Sequence, residues 1–228
     1  MMRREHIITG VALLLAALLL LASDPAGMAQ TTETVAEATA AYSPAPQLTK
    51  ADYPKVRGVN ARVAIWLAAQ MHLWFAAFVL AVPIFVFIIE AIGMKTRAKR
   101  YDDMAYEFIK VSITAYSLTA ILGGLLVFCL AIFYPHLWGY MVSIFKDSMF
   151  YYALLFFAES AFLYLYYYGW HWLQGGNRKW VHLTIGLLLN AAGTLLMFLA
   201  NSWLTFMMSP AGVDAAGVFG GDIWPAIQ

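Results

Sequence analysis

The sequence predicts an all-α membrane protein, a four-transmembrane-helix bundle, on three observations. Apolar residues make up 62% of the chain and charged ones only 12%, a composition far from that of soluble domains. Four apolar stretches, at 63–93, 104–134, 148–172 and 180–203, are each long enough to cross roughly 30 Å of hydrocarbon as a helix. Basic residues crowd the connections after the first and third stretches, as they do in cytoplasmic loops. Helices are the expected form because an open chain in lipid must satisfy its backbone hydrogen bonds within each segment.

The elements follow in chain order. Arg3 and Arg4, an apolar run at 7–22 and the small residues Gly27 and Ala29 read as a signal peptide over 1–29, cleaved after Ala29. An uncleaved anchor is the alternative, although sixteen apolar residues fall just short of the roughly 17 to 25 that span. Residues 30–58, rich in Thr, Ala and Pro, read as an extended periplasmic linker. The transmembrane domain is expected over 59–204 and a periplasmic tail over 205–228. In the first span Pro83 predicts a kink. Gly123 and Gly124 in the second span, and the small residues at 191–193 in the fourth, predict close helix packing.

Charge sets the expected topology. Lys95, Arg97, Lys99, Arg100, Lys110, Arg178 and Lys179 lie at one side of the spans, against Lys146 alone in the 135–147 loop. The first and third connections are therefore expected in the cytoplasm, with both termini periplasmic, in a multi-pass protein of the bacterial inner membrane. Lys50, Lys55, Arg57 and Arg62 oppose this asymmetry, but a signal peptide exports the linker independently. Aromatic belts fit: Tyr134, Trp138 and Tyr140 outside, and Tyr166, Tyr167, Tyr168, Trp170, Trp172 and Trp180 inside. A net charge of +1 offers no basic field for a phosphate backbone, so the partner is the lipid bilayer and not nucleic acid. The single cysteine, Cys129, excludes an internal disulfide and a CxxCH haem attachment. Any redox centre is held noncovalently.

Titratable residues inside the spans carry the functional signal, because charge at that depth is costly. His72 and Glu90 are eighteen residues apart, five helical turns, and so share one face of the first helix. Glu90 is near the inner end, where a carboxylate can snorkel to water. His72 is near mid-membrane, where it is either a haem or metal ligand or a hydrogen-bonded packing residue. Glu159, followed by Ser160 in the third span, lies at matching depth. The two suggest a redox or proton site between the first and third helices, against the plainer reading of a protonated Glu159 bonded across the bundle. His136, His171 and His182 fall at the interfaces and are expected to be solvated; a second haem between His171 and His182 is the weaker alternative.

Several motifs in order resemble a family. Arg62, "MHLWF" at 71–75, Glu90 and "YDDM" at 101–104 look like the opening of subunit I of cytochrome bd quinol oxidases. There an Arg, a haem-ligating His, an "ME" near the inner helix end and a "YKDM"-type loop come in that order. "FFAESAFLYLYYYGW" at 156–170 is similar to the family's "FFLEST" and the aromatic run ending in "GW" that follows it. "ANSW" at 200–203 resembles "ANGW", and "SPAGVD" at 209–214 resembles "NPVG" with two or three residues inserted.

The resemblance runs from Arg62 to the C-terminus and implies a fold like the N-terminal half of that subunit. It implies His72 as axial ligand of a noncovalent b- or d-type haem, and Glu159 in the haem surroundings or proton path. Glu90, Ser160 and Arg62 become proton-path or structural polar residues, with Trp170 and Trp203 in packing and at interfaces. Two departures stand out: Tyr151 replaces a second carboxylate eight residues before Glu159, and apolar residues around Leu126 and Val127 replace another. The family's subunit I also continues for several more helices, so a split or shortened relative is expected here.

The expected function is that of a membrane subunit of a multi-subunit respiratory electron-transfer complex. Such a chain is an oxidoreductase subunit of terminal-oxidase type, inactive alone. Its expected partners are other membrane subunits and a periplasmic c-type cytochrome. The alternative is a haem-less structural anchor that scaffolds such a complex. A transporter is disfavoured, since paired discontinuous helices are missing from the pattern.

Overall fold

The computed structural model describes residues 58–222 together with residues 45, 47, 49 and 53. The signal-peptide segment 1–29, nearly all of the 30–58 linker and Trp224 lie outside the described residues. Among the described residues five helices follow one another: α1 (Ala61–Thr96), α2 (Lys99–Phe133), α3 (Pro135–Ile144), α4 (Lys146–Leu173) and α5 (Arg178–Met208). All but α3 are long and apolar enough to cross a membrane.

Local chemistry sets the helix ends. Asn60 caps α1, its side-chain oxygen accepting from the backbone N–H of Arg62 at 3.0 Å and Val63 at 3.4 Å. At the other end Arg97 adopts φ 56°, the left-handed conformation that stops a helix, and α2 begins two residues later. Pro135 occupies the first turn of α3, where its missing N–H costs nothing.

The connection at 135–147, expected as a loop, is thus mostly helix. Met141, Ile144 and Phe145 recur at helical spacing and are all buried, so burial of that face holds the segment in place. Likewise α5 runs on to Met208, beyond the predicted end at 203.

Helices α1 and α2 pack along each other, as do α4 and α5, and α1 also contacts α5. Helices α2 and α4 meet less extensively: the Tyr116 hydroxyl and Ser160 Oγ are hydrogen-bonded, and the Tyr106 ring packs against Tyr167, Trp170 and His171. At the end remote from α3 the bundle is filled by residues such as Val86, Ile109, Leu163, Tyr166 and Leu189, none more than 2% exposed.

Residues 209–222 close the α3 end as a tight turn. The Asp214 carboxylate accepts from the N–H groups of Ala216 and Val218, and Val213 bridges to Phe219. Phe219 is buried against Phe206. The Tyr140 hydroxyl donates to the Gly217 carbonyl at 3.0 Å. Burial, and then the Asp214 charge, push the Tyr140 hydroxyl pKa up.

Candidate functional site

His72 projects from α1 onto α2, where its Nδ1 lies 3.0 Å from the Thr119 carbonyl oxygen. A carbonyl can only accept, so Nδ1 carries the hydrogen, and in the neutral imidazole Nε2 then has the lone pair. The half-buried ring forms part of the wall of a cavity of about 370 Å³ in the α3 half of the bundle. Gly123 and Gly124 of α2, Tyr152 and Phe156 of α4, and Trp138 and Trp203 also line it. The volume falls in the ordinary range for small-molecule sites, about 300 to 1,000 Å³.

Glu159 does not join His72. It is 6% exposed and lies against α5, its Oε1 2.6 Å from where a Cβ on Gly193 would stand. Among the described residues its carboxyl group has no hydrogen-bond partner. The α4 side of the cavity is instead Phe156, about one turn nearer α3 than Glu159, Tyr152, about two turns nearer, and Ser148 and Met149 beyond them. Equal depth does not make neighbours, because α1 packs on α2 and α5 while α4 stands diagonally across. Ser160 donates to the Phe156 carbonyl at 2.7 Å and links to Tyr116, tying α4 to α2. Arg62 is exposed in the first turn of α1. Tyr151, at the position where a carboxylate was expected, is 59% exposed.

Glu90 does not snorkel. It is fully buried and accepts from the Tyr166 hydroxyl, from Gln174 Nε2 at 3.1 Å and at His182 Nδ1, 2.7 Å away. His182, expected in solvent, is also fully buried. Its Nε2 reaches the Tyr166 carbonyl at 2.8 Å, its ring stacks on Tyr166 with centroids 4.1 Å apart, and Trp170 meets it edge-on. Both ring nitrogens are engaged, which excludes the second haem imagined between His171 and His182; His171 is exposed beside Tyr106. Glu90 and His182 between them hold one proton on Nε2 and one shared between Oε1 and Nδ1. The signal for His182 is present in the sequence. His182, Gly186, Leu189 and Gly193 follow helical spacing, and all are buried, so the histidine belongs to the inward stripe of α5.

Among the described residues no three His, Cys, Asp or Glu side chains converge as a metal-ligand set. One imidazole with a free Nε2 at a largely apolar cavity suits a macrocycle that brings its own four nitrogen donors, so the donor set fits a haem in one axial position. The hydrogen bond from Nδ1 to a carbonyl is the partner that metal-ligating histidines generally have.

Three comparisons bear on this arrangement. The family model described as cytochrome bd terminal oxidase subunit I matches residues 60–226. No curated protein matches. Among solved structures, that of bd oxidase from Geobacillus thermodenitrificans superposes with a TM-score of 0.66 at 19% identity. That match covers 74% of this chain and 39% of that one. At this identity the likeness is one of fold, and the chain spans about two-fifths of the solved relative's length.

Proposed function

We propose that the chain, which belongs to the cytochrome bd terminal oxidase subunit I family, is a membrane subunit of a multi-subunit respiratory electron-transfer complex in which His72 is the axial ligand of one haem. The observation that carries this reading is the hydrogen bond from Nδ1 to Thr119, which leaves Nε2 free on the wall of the cavity. A bound b- or d-type haem supplies a one-electron redox centre. The chain's own residues hold the ring through the Thr119 carbonyl and exclude water with the aliphatic and aromatic walls.

Glu159, buried and unpaired one turn beyond Phe156, is placed to hold or release a proton beside that cavity. Glu90 with His182 holds protons at the opposite end, and Ser160 keeps the α2–α4 contact. Arg62 sits at headgroup level. The charge asymmetry supports basic connections in the cytoplasm and the α3 end, with both termini, in the periplasm of a bacterial inner membrane, after removal of 1–29 as a signal peptide. The proposed divisions are a linker over 30–58, a transmembrane domain over 59–204 and a tail over 205–228, with the last turn of α5 running into the tail as far as Met208. Other membrane subunits complete the cavity, and a periplasmic c-type cytochrome is the electron partner proposed for the α3 end. Oxidoreductase activity belongs to the complex, not to this chain alone.

The exposed Tyr151, in place of the family's carboxylate, supports a second reading, a haem-less anchor that keeps the fold. A dithionite-reduced minus oxidised spectrum of the native complex beside a His72→Ala variant separates the two. Loss or displacement of a haem band, with the complex still assembled, is the expected result. An unchanged spectrum in the assembled variant means that His72 binds no haem.

A further inference from the structure

We infer that Gly123 is a positioning residue for His72: its bare backbone is the seat that holds the imidazole against the Thr119 carbonyl with Nε2 turned toward the cavity. The inference rests on the reading of His72 as a haem ligand and adds what sets the ring's orientation. Thr119 and Gly123 are four residues apart on α2 and therefore one above the other on one helix face. The ring uses both. Its Nδ1 donates to the Thr119 carbonyl at 3.0 Å, and its edge lies where a side chain at 123 would be. A Cβ there would stand 2.9 Å from Cε1, 3.2 Å from Nδ1 and 3.8 Å from Nε2 of His72.

The neighbouring glycine is a built-in control. A Cβ at Gly124 meets nothing within 4 Å, although Gly124 lines the same cavity. Alanine is the better helix former at either position, so helix propensity cannot distinguish the two substitutions. What distinguishes them is the contact with His72. Because the obstructing atoms at 123 are the far end of a side chain and not backbone, the clash is relieved by turning the ring. That turn stretches the Nδ1 hydrogen bond and redirects Nε2 while the helices stay in place.

The test compares the native complex with Gly123→Ala, Gly124→Ala and His72→Ala variants. It reads the reduced-minus-oxidised haem band, haem occupancy and the iron–imidazole stretch in resonance Raman of the ferrous protein. That stretch responds to the strength of the Nδ1 hydrogen bond and not to helix packing. Gly123→Ala is expected to assemble, to lose roughly tenfold or more in haem affinity, and to shift the stretch to lower frequency. Gly124→Ala is expected to match the parent.

A Gly123→Ala complex with the parent's stretch and occupancy, while His72→Ala loses the band, overturns the positioning role and leaves the ligand reading standing. Equal losses in both glycine variants also overturn it, since packing would then be the cause. A His72→Ala complex with an unchanged band overturns both readings. Should Gly123→Ala not assemble, the double variant Gly123→Ala with His72→Ala decides: assembly restored by removing the ring supports the contact with His72 as the cause, and failure of the double variant where His72→Ala alone assembles overturns the inference.

Discussion

His182 Nδ1 lies 2.7 Å from Glu90 Oε1, and neither side chain has any surface open to solvent. The two residues come from α5 and α1, at the end of the bundle remote from α3. Tyr166 and Gln174 of the α4 side also donate to the same carboxylate. Breaking such a pair leaves an uncompensated polar group in a site closed to solvent.

Glu90→Ala and His182→Ala are each expected to destabilise the purified complex by roughly 3 to 5 kcal/mol. The double variant is expected to cost clearly less than the sum, because residues in one hydrogen-bond network couple. Thermal denaturation of the four proteins in detergent checks this; additive losses would show that the pair does not act as a unit.

Gly186 and Gly193 of α5 both face side chains of α4, but with different consequences. A Cβ at 186 would stand 2.8 Å from Tyr166 Cε2 and 3.3 Å from Phe87 Cδ2. Tyr166 is held by Glu90 and cannot turn away. Gly186→Ala is therefore expected to cost about 1 to 3 kcal/mol, the usual range for overpacking. A Cβ at 193 meets Glu159 Oε1 at 2.6 Å, the end of a side chain with no bond to lose, so Gly193→Ala should cost less. The order of the two melting temperatures tests the argument, and a reversed order contradicts it.

Tyr116 and Ser160 join α2 to α4 by a side-chain hydrogen bond, in addition to the ring contacts that Tyr106 makes with Tyr167, Trp170 and His171. Ser160→Ala and Tyr116→Phe are each expected to lose about 0.5 to 1.5 kcal/mol, the net worth of one hydrogen bond, and to increase hydrogen exchange in α4 around the bond. Unchanged exchange there in both variants would mean that the contact does not hold the two helices.

The turn at 209–222 is expected to loosen in alkali. The Tyr140 hydroxyl donates to Gly217 and its folded-state pKa is raised by burial and then by Asp214. A raised folded pKa means that the protonated form stabilises the fold. That contribution is present below the free tyrosine value of about 10 and is lost as pH rises through the folded pKa. Proteolysis within the turn should rise above about pH 10, and Tyr140→Phe should be cut more readily at neutral pH with no further alkaline step. An alkaline step that persists in Tyr140→Phe assigns it to another group.

Much of the architecture could be read from the chain alone. The four spans, the all-helical class, the Asn60 start and the order of motifs that resemble the bd oxidase subunit are properties of consecutive residues, and the family match over 60–226 agrees with them. Hydrophobic length and helix capping act within one segment, so they need no knowledge of its neighbours. The α3 helix was less legible, because Pro135 and three apolar residues acquire a buried side only when the bundle end is there to receive them.

The site was legible one residue at a time and not as an arrangement. His72, Glu90 and Glu159 stand out because titratable groups are costly in a membrane at any azimuth. Counting along a helix sets depth, and depth alone put His72 beside Glu159. Which groups meet is decided by how the helices are rotated and ordered around the bundle. The tertiary structure turned Glu90 toward His182 across ninety-two residues of chain, set α4 diagonally from α1, and made Gly123 a seat for His72 while leaving the adjacent Gly124 open. Identical neighbours in sequence point in directions about 100° apart on a helix, and only the packing of the other helices determines what each one faces.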